Sequence, residues 1–283
     1  MTGAAAPLVL AAPAKVNLFL HVTGRRADGY HLLESVFACV DLADTVTLAA
    51  RADGAILRTH DVPGVPPDTD LAVRAARALQ AAAGVRRGVA LAVDKRIPMG
   101  AGLGGGSSDA ATVLLGLNRL WGLDWPRARL AELGATLGAD VPFFVGGEPA
   151  MVRGIGEKVA PVTLPAQWIA LAIPRCHVRT ADVFAAAELT RDTPSAKIDV
   201  FSDGYGRNDL ADVTAARFPE VAEALVALRT AWPAARMSGS GACVFAACPT
   251  EDDARRALVA LPAGVDRRLC RTLARHPLAG FAR

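Results

Sequence analysis

Pro98-Met99-Gly100-Ala101-Gly102-Leu103-Gly104-Gly105-Gly106-Ser107-Ser108-Asp109 lies between a strand-like run, Val89 to Val93, and a helical pattern from Ser108 to Leu120. Five of the seven residues from Gly100 to Gly106 are glycine. Without side chains, successive backbone N–H groups can turn into one concavity, and the start of the following helix adds partial positive charge there. Ser107 and Ser108 supply hydroxyls for phosphate oxygens or magnesium. The stretch therefore predicts a phosphate-binding loop. A plain surface linker has no use for so much glycine directly against a helix start.

Two familiar phosphate loops can be tested against it. A P-loop needs a lysine directly after its last glycine, whereas Gly106 is followed by Ser107 and Ser108, so that reading fails. The dinucleotide pattern Gly-x-Gly-x-x-Gly is met by Gly100, Gly102 and Gly105, which keeps a nicotinamide oxidoreductase as the rival class. Against it, Pro98 intervenes between strand and glycines. The acidic residue expected about twenty positions on, Asp124, falls in a turn between helices.

Working outward, Leu8 to Leu10, Val16 to Val22 and Val46 to Leu48 read as strands. Leu71 to Leu79 suits a helix capped by Thr69 or Asp70 and stopped by Gly84, and another helix runs from Pro126 to near Gly138. Trp168 to Ile173 reads as a strand after the Gly- and Pro-containing stretch from Gly154 to Pro165, which makes that stretch the expected domain boundary. Helices over 181–189, 219–229 and 252–261 then alternate with strands over 242–247 and 267–273. The order predicts an α+β protein with units at 1–160 and 161–283.

With 52% hydrophobic and 21% charged residues the chain can bury a core, and it reads as an ordered globular protein. A net charge of +3, dispersed along the chain, argues against nucleic acid or an anionic membrane as partner. No apolar run approaches the roughly eighteen residues of a membrane span. The five cysteines form no Cys-x-x-Cys pair and read as reduced thiols. The apolar opening lacks a basic region, so no signal peptide is expected and the expected compartment is cytoplasmic.

From Pro98 to Ser107 the sequence resembles the GHMP kinases, and other segments share that resemblance: Ala12 to Leu20, Arg26 to His31, Leu137 to Phe144 and Ser238 to Gly241. They look like the branch of the superfamily that acts on a cytidine-diphosphate-linked methylerythritol. The resemblance implies an N-terminal ATP-binding domain, a ferredoxin-like C-terminal domain, and an active site in the cleft between them. It further implies an ATP- and Mg2+-dependent enzyme that phosphorylates the 2-hydroxyl of that small molecule in non-mevalonate isoprenoid synthesis, as a monomer or weak homodimer.

By the same resemblance, Asp140 is the catalytic aspartate and Lys15 the lysine beside it. The loop from Pro98 to Ser108 holds the phosphates, and Leu71 and Lys95 lie by the adenine. Asn17 belongs to the substrate pocket. Tyr30 and Phe184 stack on the cytosine while His31 bonds its edge. Ser238 to Gly241 is either a tight turn or a second wall of the phosphate site. Two places depart from the family pattern: Asp70-Leu71-Ala72 begins with Asp in place of Asn, and Ala211 follows Asn208-Asp209-Leu210 where Glu is usual. No role is assigned to Asp70 or to the Asn208-Asp209 segment, and the magnesium ligands stay unassigned. The alternatives are a sibling kinase of the homoserine or mevalonate type, a catalytically silent relative on the same fold, and the oxidoreductase.

Overall fold

Two long strands, β1 (Leu8–Arg25) and β2 (His31–Arg51), pair antiparallel from Leu8 opposite Leu48 to Arg25 opposite His31. Their connection is the Arg26–His31 segment. Gly29 takes a left-handed φ of +91°, Asp28 accepts from the Tyr30 N–H, and Arg26 N–H donates to the Tyr30 carbonyl at 2.7 Å. Turn chemistry thus puts Tyr30 and His31 at a hairpin tip. The protein is described as a computed structural model over residues 6–195 and 205–283.

After the hairpin come β3 (Ile56–Arg58), α1 (Leu71–Ala83), β4 (Gly88–Asp94), α2 (Gly105–Leu120), α3 (Arg127–Ala135), α4 (Val141–Gly146), β5 (Ala150–Gly154) and β6 (Lys158–Pro161). The second half carries β7 (Trp168–Ile173), α5 (Thr180–Phe184), α6 (Ala211–Arg217), α7 (Pro219–Ala231), β8 (Arg236–Met237), β9 (Val244–Cys248), α8 (Glu251–Val259) and β10 (Asp266–Arg271). A six-stranded sheet has the order β3-β4-β2-β5-β6 with β1 on the far edge of β2, and a four-stranded sheet has the order β10-β7-β9-β8.

Along the edge of β2 away from β1, β5 pairs with 33–37 and β4 with 45–51. The gap between them is taken by chain from the other half: Leu273 N–H donates to the Cys39 carbonyl at 2.8 Å, and Arg271 N–H to Asp41 at 2.8 Å. Side-chain alternation explains the layering. In β7, Ala170 and Ala172 face the core shared with α7 and α8, while Ile169, Leu171 and Ile173 face a core shared with β1 and β2. β1 serves three cores in succession, through Leu10 and Ala12, then Ala14, Val16 and Leu18, then Leu20 and Val22. The alternate positions Lys15 and Asn17 are left to face the cleft.

α2 is buried at every position from Ser108 to Asn118, so its pattern is that of a central helix. Sheet and helices wrap it, and its N-terminus opens onto the glycine loop.

Several sequence expectations shift. α2 begins at Gly105, not Ser108, because Gly104 makes the left-handed step and the next two glycines already turn helically. The expected boundary stretch contains β6, which pairs with β5 and extends the first sheet to Pro161. The helix expected over 181–189 stops at Phe184, where Arg191 takes up the carbonyls that would continue it. α4 and α6, two short helices, were not expected. Among the described residues no helix is long and apolar enough to cross a membrane.

Candidate active site

The glycine loop lines a cleft of about 620 Å³ whose walls also include Lys15, Asn17, Asp140, Leu71, Lys95 and Phe184. The loop's carbonyls are occupied by the protein. Leu103 accepts from Lys15 N–H at 2.9 Å, Ala101 from Cys243 N–H at 3.2 Å, and Gly102 from Ser238 Oγ at 2.9 Å. Its N–H groups lead into the first turn of α2, where no intrahelical acceptor exists, so they remain for an anion.

Gly102, at φ +75°, lies so close to the second glycine segment that a Cβ there would overlap the Ser238 carbonyl oxygen. Gly100 lies as tightly under the His177 ring. At Gly102 the neighbour is backbone, so the close approach needs glycine. Ser238–Gly241 is itself held by Asn208, whose amide donates to the Met237 and Gly239 carbonyls at 2.8 Å each. The unassigned Asn208 segment is thus the strut of that wall. Ser108, expected in the phosphate loop, does not line the cleft: it is wholly buried on the inner side of α2. Pro98, Met99, Gly104, Gly105, Gly106 and Ser107 do line it.

Lys15 is 4% exposed, and its ammonium lies 4.6 Å from the centre of the Phe37 ring. It donates to Asn17 Oδ1 at 2.5 Å and stands 3.7 Å from Asp140 Oδ2. Burial lowers its pKa from the usual lysine range, opposed by Asp140. Asn17 cannot turn over: its Nδ2 donates to Ser35 Oγ at 3.0 Å, and Ser35 donates onward to the Phe19 carbonyl. Oδ1 therefore faces the lysine. Asp140 precedes α4 but makes no capping bond, so its carboxylate, 29% exposed, is left to the cleft and to Lys15.

Lys95 also lines the cleft, yet its ammonium is engaged by Asp44 and, at 2.7 Å, by Asp109. A Cβ added to Gly105 would come 3.2 Å from Lys95 Nζ, so the cation rests over the positive end of α2. The two carboxylates hold it there. Burial pushes Asp109 up to about 7; Lys95 opposes the rise and the neighbouring Asp44 adds to it. Asp44 also accepts from the Arg96 and Ile97 N–H groups at 2.6 and 2.8 Å, which pins the chain entering the glycine loop. Leu71 forms part of the same wall, while Asp70 caps α1 through Ala72 N–H at 2.9 Å and pairs with Arg58 at 2.9 Å.

Tyr30 and His31 line a neighbouring hollow of about 590 Å³, and Phe184, Leu33 and Thr180 line both spaces. Here His31 stacks on Phe184, with centroids 5.0 Å apart and planes at 27°, while Tyr30 is 61% exposed. Sequence reasoning missed Asp44, Ser35, Thr180, His177 and Arg191. None stands in a recognisable motif, and each matters only through a partner distant in the chain.

An anion-binding glycine loop, backed by a second glycine segment and facing a lysine–aspartate pair, is the apparatus of a small-molecule kinase. Two family models match: the GHMP kinases N terminal domain over residues 70–148 and the GHMP kinases C terminal domain over 188–266. The chain belongs to the GHMP kinases, and within them to the 4-diphosphocytidyl-2-C-methyl-D-erythritol kinases. Its relatives of that name include the protein from Cupriavidus metallidurans, 54% identical over 96% of this chain and 94% of its own. The one from Thiobacillus denitrificans is 56% identical over 95% and 97%. A crystal structure of 4-(cytidine 5'-diphospho)-2C-methyl-D-erythritol kinase superposes with a TM-score of 0.82 at 36% identity, covering 94% of this chain and 99% of that one. Homoserine kinase from Cytophaga hutchinsonii, at 16% identity, TM-score 0.73 and 95% coverage of both chains, shares the fold.

Gly102→Ala should destabilise the protein more than Gly122→Ala. Both have left-handed φ, +75° and +59°, but only Gly102 has a neighbour to overlap. The backbone term is about 1 kcal/mol in each, so equal urea midpoints would show that the loops can separate freely.

Asp109 sets a second test. Its folded pKa of about 7 lies above that of a free aspartate, ~3.9. The stability it contributes is full below the lower value and is lost as pH rises through the upper one. Between pH 5 and pH 8 the wild-type urea midpoint should fall more steeply than that of Asp109→Asn; parallel curves would remove the proposed cause.

Proposed function

We propose that the chain transfers the γ-phosphoryl of ATP to the 2-hydroxyl of 4-diphosphocytidyl-2-C-methyl-D-erythritol, giving the 2-phosphate and ADP in non-mevalonate isoprenoid synthesis. The observation that carries this reading is continuity: the space from the glycine loop passes the Lys15–Asp140 pair and meets the Tyr30–His31 hollow at Phe184. A nucleotide at one end and a cytidine diphosphate at the other would bring a hydroxyl and a terminal phosphate together beside Asp140.

In this reading the loop N–H groups from Gly100 to Ser107 hold phosphate oxygens, and Leu71 with Lys95 flanks the adenine. Asp140 takes the hydroxyl proton late in a transfer that needs little early activation of the nucleophile. Lys15, aimed by Asn17, neutralises charge between the carboxylate and the phosphoryl oxygens. Tyr30, His31 and Phe184 receive the base. Ser108 supports α2 from within.

Magnesium fits this donor set through the nucleotide. Among the described residues no three His, Cys, Asp or Glu side chains gather into a cage, and Mg2+ in kinases commonly uses one or two protein oxygens with phosphates and water. The Ser107 hydroxyl, which lines the cleft, would hold it together with phosphate oxygens and water. When bound, the ion supplies charge neutralisation to the phosphates.

The two units are proposed as 1–160 and 161–283, a cut one residue short of the end of the first sheet at Pro161, and the cytoplasm as the compartment, in keeping with five free thiols.

ADP release with ATP and Mg2+ should occur with 4-diphosphocytidyl-2-C-methyl-D-erythritol and not with homoserine or mevalonate. Turnover with either of those instead would overturn the acceptor assignment. Asp140→Asn should keep ATP affinity within about threefold and lose roughly 10²- to 10⁴-fold in kcat, the range for a positioned base. Near-normal kcat would remove Asp140 from the proton's path.

A further inference from the structure

We propose that Arg191 is a positioning residue for the base half of the substrate, locking the stacked His31–Phe184 pair and fixing the His31 ring as an Nδ1–H donor. The inference rests on the reading that this hollow receives the cytosine.

Arg191 lies beyond the end of α5, in a stretch that the sequence marks with no motif. Its guanidinium nonetheless joins both sides of the hollow. Nε donates to His31 Nε2 at 3.0 Å, Nη2 donates to the carbonyls of Phe184 at 3.2 Å and Ala186 at 2.5 Å, and Nη1 donates to Leu189 at 2.9 Å and Ala187 at 3.4 Å. The last carbonyls of a helix lack intrahelical partners, and here one planar fork serves that of Phe184 together with three in the turn beyond it. The group that ends α5 thereby fixes the residue that presents the Phe184 ring. It also holds the ring stacked on Phe184.

The consequence for His31 is chemical as well as steric. A guanidinium has five donors and no acceptor, so a ring nitrogen facing it must offer a lone pair. In the neutral ring the proton then sits on Nδ1. Cytosine presents O2 and N3 as acceptors, and a ring with its donor set on Nδ1 can serve one of them. Lysine in place of Arg191 would offer a single ammonium on a flexible stem and could not span the ring and the carbonyls together.

The arrangement carries a pH signature. Among the described residues, the charges on the ring or lining its hollow are Arg191 after α5, Arg25 at the end of β1 and Asp28 at the hairpin tip; the α5 residues that line the hollow, Thr180, Ala181 and Phe184, carry no charge, and Asp182 of α5 is not among them. Burial, then Arg191 and Arg25, lowers the His31 pKa from its ordinary value. Protonation would set N–H against N–H and break the lock, so base affinity is held above that pKa and lost as pH falls through it.

The test uses the full-length enzyme with 15N-labelled histidine, together with Arg191→Met and Arg191→Lys. Wild-type His31 should be unprotonated on Nε2. In Arg191→Met the tautomers should mix, the ring pKa should rise, and KM for the cytidine substrate should rise roughly tenfold, as for one lost hydrogen bond. The acid limb of that KM should flatten, with kcat and the KM for ATP within about twofold of wild type. If Arg191→Met does not fold, Arg191→Lys carries the same comparison. A wild-type ring protonated on Nε2, or a variant with unchanged tautomer and KM, overturns the role of Arg191. Cytidine monophosphate serves as the separate probe. Signals of His31 unmoved by it, in a variant whose tautomer has changed, would mean that the base assignment itself has failed and the inference with it.

Discussion

The cleft depends on how nearly the backbone of Gly102 touches that of Ser238. At that crossing the phosphate loop of the first half rests on the glycine segment of the second, with the Ser238 hydroxyl donating to the Gly102 carbonyl and accepting from Asn17 N–H at 3.2 Å. Such closeness is open only to residues without a Cβ. Through Ser238, the loop's position is tied to the strand that carries Lys15 and Asn17, and through Asn208 to the start of α6. A shift at the crossing would move the phosphate-facing N–H groups and the lysine together.

Around this crossing the protein manages three buried or half-buried cations, each differently. Lys15 is oriented by a neutral amide and faced by one carboxylate, which leaves it free to answer charge that arrives with substrates. Lys95 is shared by two carboxylates and has little freedom, and burial, with Asp44 alongside, holds the Asp109 pKa up against it. Arg191 is held by carbonyls and an imidazole, which satisfy its fork. These partners separate a cation that faces a single carboxylate from cations fixed by several acceptors.

Much of this architecture was legible beforehand because it follows local rules. The α1 caps, Asp70 and Gly84, stand where the residue types place them, and β7 shows its bounds as an apolar run between Gln167 and Pro174. The glycine loop announced its chemistry because phosphate binding needs consecutive free N–H groups at a helix start, a demand that leaves a compositional mark. By contrast the sequence shows β1 and β2 only as fragments, since strands that change cores along their length break the simple alternation. The Phe184 helix was overextended for a related reason: its end is set by Arg191, whose effect depends on a carbonyl array that no local pattern displays.

The sequence by itself determined that a glycine loop suited to phosphate stands before a helix, that the chain belongs with the GHMP kinases, and that Lys15 and Asp140 lie in two of the motifs that carry that likeness. These follow from backbone freedom and from ordered motifs, properties carried by contiguous residues. Only the tertiary structure decided that Ser108 turns inward, that Lys95 is divided between Asp44 and Asp109, and that His31 lies on Phe184 under the hold of Arg191. Those outcomes depend on desolvation and on partners far apart in the chain, and only the packed fold sets which donor reaches which acceptor.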